Sequence, residues 1–170
     1  MVSHITQRAA GKEPLFLENW DYLFMLGLLK EIANNYALRI YAFCLMQNHI
    51  HLLLSPEEEN LYDAMRDLFS RYAMKFNRKY ERKGHLFAGP YRQAVCLDES
   101  YLLAASLYIH LNPVRAGVVL EPQSYRWSSC RLYVDYIMRV TPQNRLYIPT
   151  LSYACSLKTK LRIKKSTGFF

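Results

Sequence analysis

Leu38-Arg39-Ile40-Tyr41-Ala42-Phe43-Cys44-Leu45-Met46-Gln47-Asn48-His49-Ile50-His51-Leu52-Leu53-Leu54 is the stretch from which the fold is read. Two short apolar runs with β-branched and aromatic content flank Gln47-Asn48, a pair able to turn the chain, so two adjacent strands are expected rather than a helix. Side chains alternate along a strand, which puts His49 and His51 on one face and turns Ile50 into the core. Two imidazoles converging in this way offer two metal ligands and need a further donor. A half-buried sheet face with each ring hydrogen-bonded would show the same pattern, and the spacing does not separate the two readings.

Upstream, His4-Ile5-Thr6-Gln7-Arg8 reads as a short first strand. Leu23, Leu26, Leu29, Ile32, Ala33 and Tyr36 recur at helical spacing behind Asn19, an apt N-cap, which predicts an amphipathic helix from Asn19 to Tyr36. Downstream, Ser55-Pro56 stops the second central strand, and Leu61, Met65, Leu68, Phe69, Tyr72 and Phe76 mark one face of a long helix. Arg66, Arg71, Lys75, Arg78, Lys79, Arg82 and Lys83 occupy its other face, with only Asp67 and Glu81 against them. A solvated face and a phosphate-binding face both fit such a run, and the imbalance of sign favours the second.

The turn-rich loop Gly84-His85-Leu86-Phe87-Ala88-Gly89-Pro90-Tyr91 brings aromatics, Tyr91 among them, beside Arg92. This suits base stacking with phosphate contact, and it equally suits the capping of a core. Arg92-Gln93-Ala94-Val95-Cys96-Leu97 is expected to be a strand, and Asp98 to cap a helix from Glu99 onward. In that helix Tyr101, Ala105, Tyr108 and Asn112 form one stripe, with Leu103, Leu107 and Leu111 in the neighbouring apolar one. Pro113 disfavours helix for the residue before it, so the helix is expected to end at Asn112 with Tyr108 in its last turn. His110, roughly 200° from Tyr108 around the helix, should face elsewhere. Residues 125–133 read as a short packing helix, and Lys158 to Lys165 as a basic tail, disordered, in contact with nucleic acid, or both.

The order of elements predicts an α+β, ferredoxin-like βαββαβ fold with a central antiparallel sheet and both long helices on one face, followed by the tyrosine-bearing helix. One domain is expected over residues 1–133, with an extension at 134–170. A chain of 170 residues with 51% hydrophobic content can bury a real core. Its net charge of +8 points to a polyanionic partner, nucleic acid before membrane. No stretch approaches the roughly 18 apolar residues of a membrane span, and Met1 to Arg8 lacks the apolar core of a signal peptide. Cys44, Cys96, Cys130 and Cys155 are too widely spaced for a zinc knuckle and read as reduced thiols, so a cytoplasmic location is expected.

Three blocks taken together resemble the HUH single-tyrosine transposases, in particular the REP-associated tyrosine transposase and IS200-like branch. They are Tyr41 to Leu54, with Gln47-Asn48-His49-Ile50-His51 at its centre, then Tyr108-Ile109-His110-Leu111-Asn112-Pro113-Val114-Arg115-Ala116-Gly117-Val118-Val119, and Trp127-Ser128-Ser129. The likeness runs from His4 to Tyr133. Gln47 stands where the family usually has Pro, and Gly89-Pro90-Tyr91 where it usually has Gly-Arg-Tyr or Gly-Arg-Phe.

The resemblance implies that His49, His51 and Asn112 hold a divalent metal, Mg or Mn, and that Tyr108 is the nucleophile. It implies cleavage and rejoining of hairpin-associated single-stranded DNA through a 5′-phosphotyrosine link, which retains the phosphoester energy for a second DNA end. Arg66, Arg71, Lys75, Arg78, Lys79, Arg82, Lys83, Tyr91, Arg92 and Arg115 are the residues expected to touch DNA. The alternative from another class is a decayed or repurposed hairpin-binding protein that has lost cleavage. Monomer and homodimer both remain open. A histidine-triad hydrolase is disfavoured, because the position that should hold its third alternating histidine is Leu53.

Overall fold

The computed structural model describes residues 1–11 and 13–139, with side chains as far as residue 134. The basic tail and Cys155 lie outside the described residues. The elements are β1 (Ser3–Arg8), α1 (Asn19–Asn35), β2 (Leu38–Met46), β3 (His49–Pro56), α2 (Leu61–Lys79), β4 (Arg92–Val95) and α3 (Glu99–Arg115), then a 3-10 turn (Pro122–Ser124) and α4 (Cys130–Arg139). The strands form one sheet in the order β2-β3-β1-β4, antiparallel throughout. This is the expected βαββαβ arrangement.

The two-residue turn at Gln47-Asn48 sets the β2–β3 register, pairing Met46 with His49, Leu45 with Ile50 and Cys44 with His51. The central strand β1 pairs Thr6 with His51 and Ile5 with Leu52. Opposed residues share a face, so the period of two divides the sheet cleanly. Ile5, Ile50 and Leu52 are fully buried on the side covered by α1 and α2, among Met25, Leu28 and Ile32 of α1 and Met65, Leu68 and Tyr72 of α2. Each such aliphatic side chain contributes about 1.5–3 kcal/mol. The Tyr72 hydroxyl inside this core donates to the Leu15 carbonyl at 2.6 Å. His4, Thr6, Arg8, His49 and His51 are left on the opposite side, where α3 packs against β2 and β3.

Several expectations need correction, the simplest being that β4 stops at Val95 rather than Leu97. The cap of α1 is Glu18, not Asn19. Asp21, only 1% exposed, turns back to accept from the backbone N–H of Leu17 at 2.9 Å and of Glu18 at 3.0 Å, and also from the Tyr80 hydroxyl at 2.8 Å. Drawing Asp21 inward rotates the helix, so the buried stripe is Asp21, Met25, Leu28, Leu29 and Ile32, and Leu23 is 55% exposed.

α3 does not end at Asn112 but runs through Pro113 to Arg115. A proline near a C-terminus removes one helix hydrogen bond, here the one to the Ile109 carbonyl. The end is closed from Ala116 N–H to the Asn112 carbonyl at 2.9 Å and from Val118 N–H to the Pro113 carbonyl at 2.9 Å, with Gly117 in the left-handed conformation that such caps favour.

Residues 125–129 are not helical. They run along the free edge of β2, with Leu45 N–H donating to the Trp127 carbonyl at 2.9 Å and Ser129 N–H to the Phe43 carbonyl at 3.0 Å. An edge strand's open hydrogen-bonding groups are satisfied in this way, and the helix starts only at Cys130. Cys44, Cys96 and Cys130 are buried free thiols. Among the described residues no helix is long and apolar enough to cross a membrane.

Candidate active site

His49 and His51 stand on the α3 side of β3 with ring centroids 4.9 Å apart. The chain arranges them through Nδ1. The Nδ1 of His49 lies 2.7 Å from Asn48 Oδ1, and a carboxamide oxygen only accepts, so that nitrogen carries the proton and Nε2 keeps its lone pair. The Nδ1 of His51 lies 3.0 Å from His4 Nε2 and 3.3 Å from Thr6 Oγ1. His51 is 3% exposed. Burial, then the charges of His49, His4 and Arg8, push its pKa down to about 3. Burial also lowers His4, and it lowers His49 against a hydrogen bond with Asn112 that raises it. At neutral pH all three imidazoles are uncharged, the form that ligates metals.

α3 brings Tyr108 across these rings, its centroid 5.7 Å from His51 and 6.1 Å from His4, both edge-on. Tyr108 is 41% exposed. One turn on, Asn112 donates through Nδ2 to the Tyr108 carbonyl at 3.4 Å, and its side chain reaches His49. The amide nitrogen of Asn112 is thus engaged on the helix, while the same side chain lies beside His49. Arg115 lies over the Tyr108 ring, 5.1 Å from its centroid. A cleft of about 430 Å³ opens at this point, lined by His4, Thr6, Arg8, His51, Arg92 and Tyr108 among others.

The donor set fits a divalent ion: two neutral imidazole nitrogens and an amide oxygen, with remaining positions for water or a phosphate oxygen. Among the described residues no three His, Cys, Asp or Glu side chains group as a metal cluster. The amide of Asn112, whose side chain reaches His49, is a donor group that could join the two rings.

The structure thus gathers His49, His51, Tyr108 and Asn112, with Arg92 and Arg115 beside them. The other residues expected to touch DNA lie elsewhere. α2 covers the opposite face of the sheet and ends at Lys79, so Arg82 and Lys83 stand beyond the helix on which they were expected, and much of the cationic row is engaged. Arg66 pairs with Asp63, Arg71 with Glu31 and Asp67, Lys79 with Glu18 and Asp21, and Arg82 with Glu13. Lys75 lies over the Trp20 ring, while Arg78 and Lys83 are exposed. Tyr91 packs beside Phe69, as does Phe87 of the preceding loop, so these rings cap the core.

His110 faces away from Tyr108, as expected, with its Nε2 2.7 Å from Ser129 Oγ. Three residues of β1 that line the site escaped sequence reasoning: His4, Thr6 and Arg8. The signal was present in His4-Ile5-Thr6, which repeats the alternation of His49-Ile50-His51, and Arg8 stands directly opposite His49. None of the ion pairs among the described residues involves Arg8 or Arg92.

Residues 1–112 match the sequence family described as Transposase IS200 like. No curated protein matches the chain significantly. Among solved structures, one similar chain is a REP-associated tyrosine transposase bound to a REP hairpin. It has a TM-score of 0.69 and 12% identity over 88% of this chain and 89% of that one, a likeness of fold. A putative transposase from Deinococcus radiodurans R1 is also similar, with a TM-score of 0.48 and 14% identity over 80% of this chain and 89% of that one.

Proposed function

The chain belongs to the IS200-like transposases, and on that premise we propose that it cuts and rejoins hairpin-associated single-stranded DNA through a covalent link to Tyr108. The observation that carries this reading is the meeting of Tyr108 with His51, ring centroids 5.7 Å apart, and of Asn112 with His49, all within one chain. His49, His51 and Asn112 are the residues to hold a divalent ion, Mg or Mn. Bound there, the ion supplies Lewis acidity at an oxygen of the scissile phosphate.

The Tyr108 hydroxyl oxygen attacks phosphorus. Its bond to phosphorus forms as the bond to the 3′ oxygen breaks, the phenol proton is lost, and the departing oxygen takes up a proton to become a free 3′-hydroxyl. The 5′-phosphotyrosine that results keeps the phosphoester energy, so a second 3′-hydroxyl can reverse the step without a nucleotide cofactor. Arg115 sets a positive charge against the ring that gives up its proton. Arg8 and Arg92, at the same cleft, are placed to hold the neighbouring phosphates. The α2 row, across the sheet, serves only DNA that reaches round the molecule.

Unpaired DNA is the substrate of choice, because a phosphate must enter the cleft with its backbone free to bend. One chain supplies both histidines and tyrosine, so a monomer suffices for the geometry, and every proposed site residue falls within 1–133. A cytoplasmic location belongs to the same proposal, and the buried free thiols Cys44, Cys96 and Cys130 support it.

Covalent capture tests the reading. Labelled single-stranded hairpin DNAs are incubated with the protein and Mn, and a labelled band that survives denaturation is sought. The band is expected with the native protein and absent with Tyr108→Phe or with EDTA. A band from Tyr108→Phe overturns the nucleophile. Tight, salt-dependent hairpin binding with no adduct from the native protein favours a repurposed binder.

A further inference from the structure

We infer that His4 is a positioning residue which holds His51 in the Nδ1-protonated tautomer, so that its Nε2 is presented to the metal. The inference rests on the metal site proposed above and adds a residue outside the ligand set.

His4 Nε2 and His51 Nδ1 are 3.0 Å apart, and two ring nitrogens at that separation share one proton. If His4 donated, the His51 proton would sit on Nε2 and block the lone pair a cation needs. If His51 donates from Nδ1, His4 accepts at Nε2 and carries its own proton on Nδ1, and the His51 Nε2 stays open. Thr6 Oγ1, 3.3 Å from the same Nδ1, favours the second arrangement. An N–H can be shared between two acceptors, whereas an imidazole nitrogen has a single in-plane lone pair and cannot serve two donors well.

His49 is held by the same logic with a different partner, since its Nδ1 meets Asn48 Oδ1 at 2.7 Å. Both ligands are therefore gripped at Nδ1 and offered at Nε2. The grip on His49 is local, from the adjacent residue in the hairpin turn. The grip on His51 crosses from β3 to β1 and depends on the register that sets Thr6 opposite it. His4 is no third ligand in this arrangement, because the nitrogen it turns towards the site is occupied by His51 Nδ1. Outer partners that fix a ligating imidazole commonly change metal affinity 10- to 100-fold.

The test uses the full chain labelled with ¹⁵N-histidine and two readouts. Long-range ¹H–¹⁵N correlation of the metal-free protein reads the tautomer of His51, and Mn EPR reads free against bound ion. The native protein is expected to show His51 protonated on Nδ1. In His4→Leu the Nε2-protonated form should appear and Mn affinity fall roughly 10- to 100-fold. His4→Gln, whose Oε1 accepts in place of the ring nitrogen, should restore both. A native His51 protonated on Nε2 overturns the inference, and so does a His4→Leu protein that binds Mn as tightly as the native one. The metal reading fails separately: a native protein with the expected tautomer that binds no Mn overturns the ion site and leaves His4 only a structural partner of His51.

Discussion

Acidification to pH 5 should cost this fold about 2 kcal/mol through His110 alone. The ring is fully buried in α3, against Ser129 and Tyr133, and burial pushes its pKa down to about 3 from an ordinary 6.5. The unfolded chain takes up a proton below pH 6.5 that the folded chain refuses until about pH 3. Stability is thus fully present above the unfolded value and lost as pH falls through that window. Each pH unit inside it costs about 1.4 kcal/mol, and pH 5 lies about 1.5 below the upper edge. Urea denaturation of the native protein and of His110→Gln, at pH 7.5 and pH 5, measures this. Glutamine can still hydrogen-bond Ser129 but cannot be charged in this range. His51 titrates in both proteins, so the difference between their acid losses isolates His110. The native midpoint should fall further than the variant's by about 1 M urea, given a slope of about 2 kcal/mol per M. Equal losses refute the reasoning. So does an imidazolium signal for His110 in the ¹⁵N spectrum of the native protein above pH 5, a readout that needs no variant.

Other outcomes follow from the same geometry. Arg8→Ala and Arg92→Ala should each weaken single-stranded DNA binding and flatten its log–log salt dependence by about 0.7, as read by fluorescence anisotropy. Arg71→Ala, whose charge is already met by Glu31 and Asp67, should change neither quantity. A larger effect at Arg71 would move the DNA track to the α2 face. Asp21→Asn should cost about 2–4 kcal/mol in chemical denaturation, because a buried carboxylate is replaced where Lys79, Tyr80 and two backbone N–H groups converge. Burial alone would raise the Asp21 carboxyl, but the bonds from Lys79, Leu17, Glu18 and Tyr80 outweigh it and hold the pKa low. Ala37, at φ +48 just after α1, carries left-handed strain, so Ala37→Gly should stabilise by about 0.5–1 kcal/mol and raise Tm by a few degrees.

What could be read along the chain was what depends on neighbours a few residues away. Alternation over six residues of β3 put Ile50 in the core and His49 with His51 on the other face. A two-residue turn closed the β2–β3 hairpin, and helical spacing set Tyr108 one turn from Asn112 and turned His110 away. These are periodicities of the backbone itself, and they survive whatever the rest of the chain does. Pro113 misled because a preference of the preceding residue was weighed as a stop, although the helix end had Gly117 and two carbonyls with which to close past it.

The remainder came from pairings between distant segments, for which no local pattern is sufficient. His4 meets His51 across 47 residues, Lys79 meets Asp21 across 58, and Arg71 meets Glu31 across 40. A row of like charges on one helix therefore looked free in sequence and is largely engaged in the structure. The sequence by itself determined the hairpin, the order of elements and four residues that converge on one site. Only the tertiary structure decided that α3 docks on the face of the sheet opposite α1 and α2, which arginines share the cleft with Tyr108, and that His4 stands behind His51. Strand register and helix docking are settled by burial summed over the whole core, and no window of a few residues contains that sum.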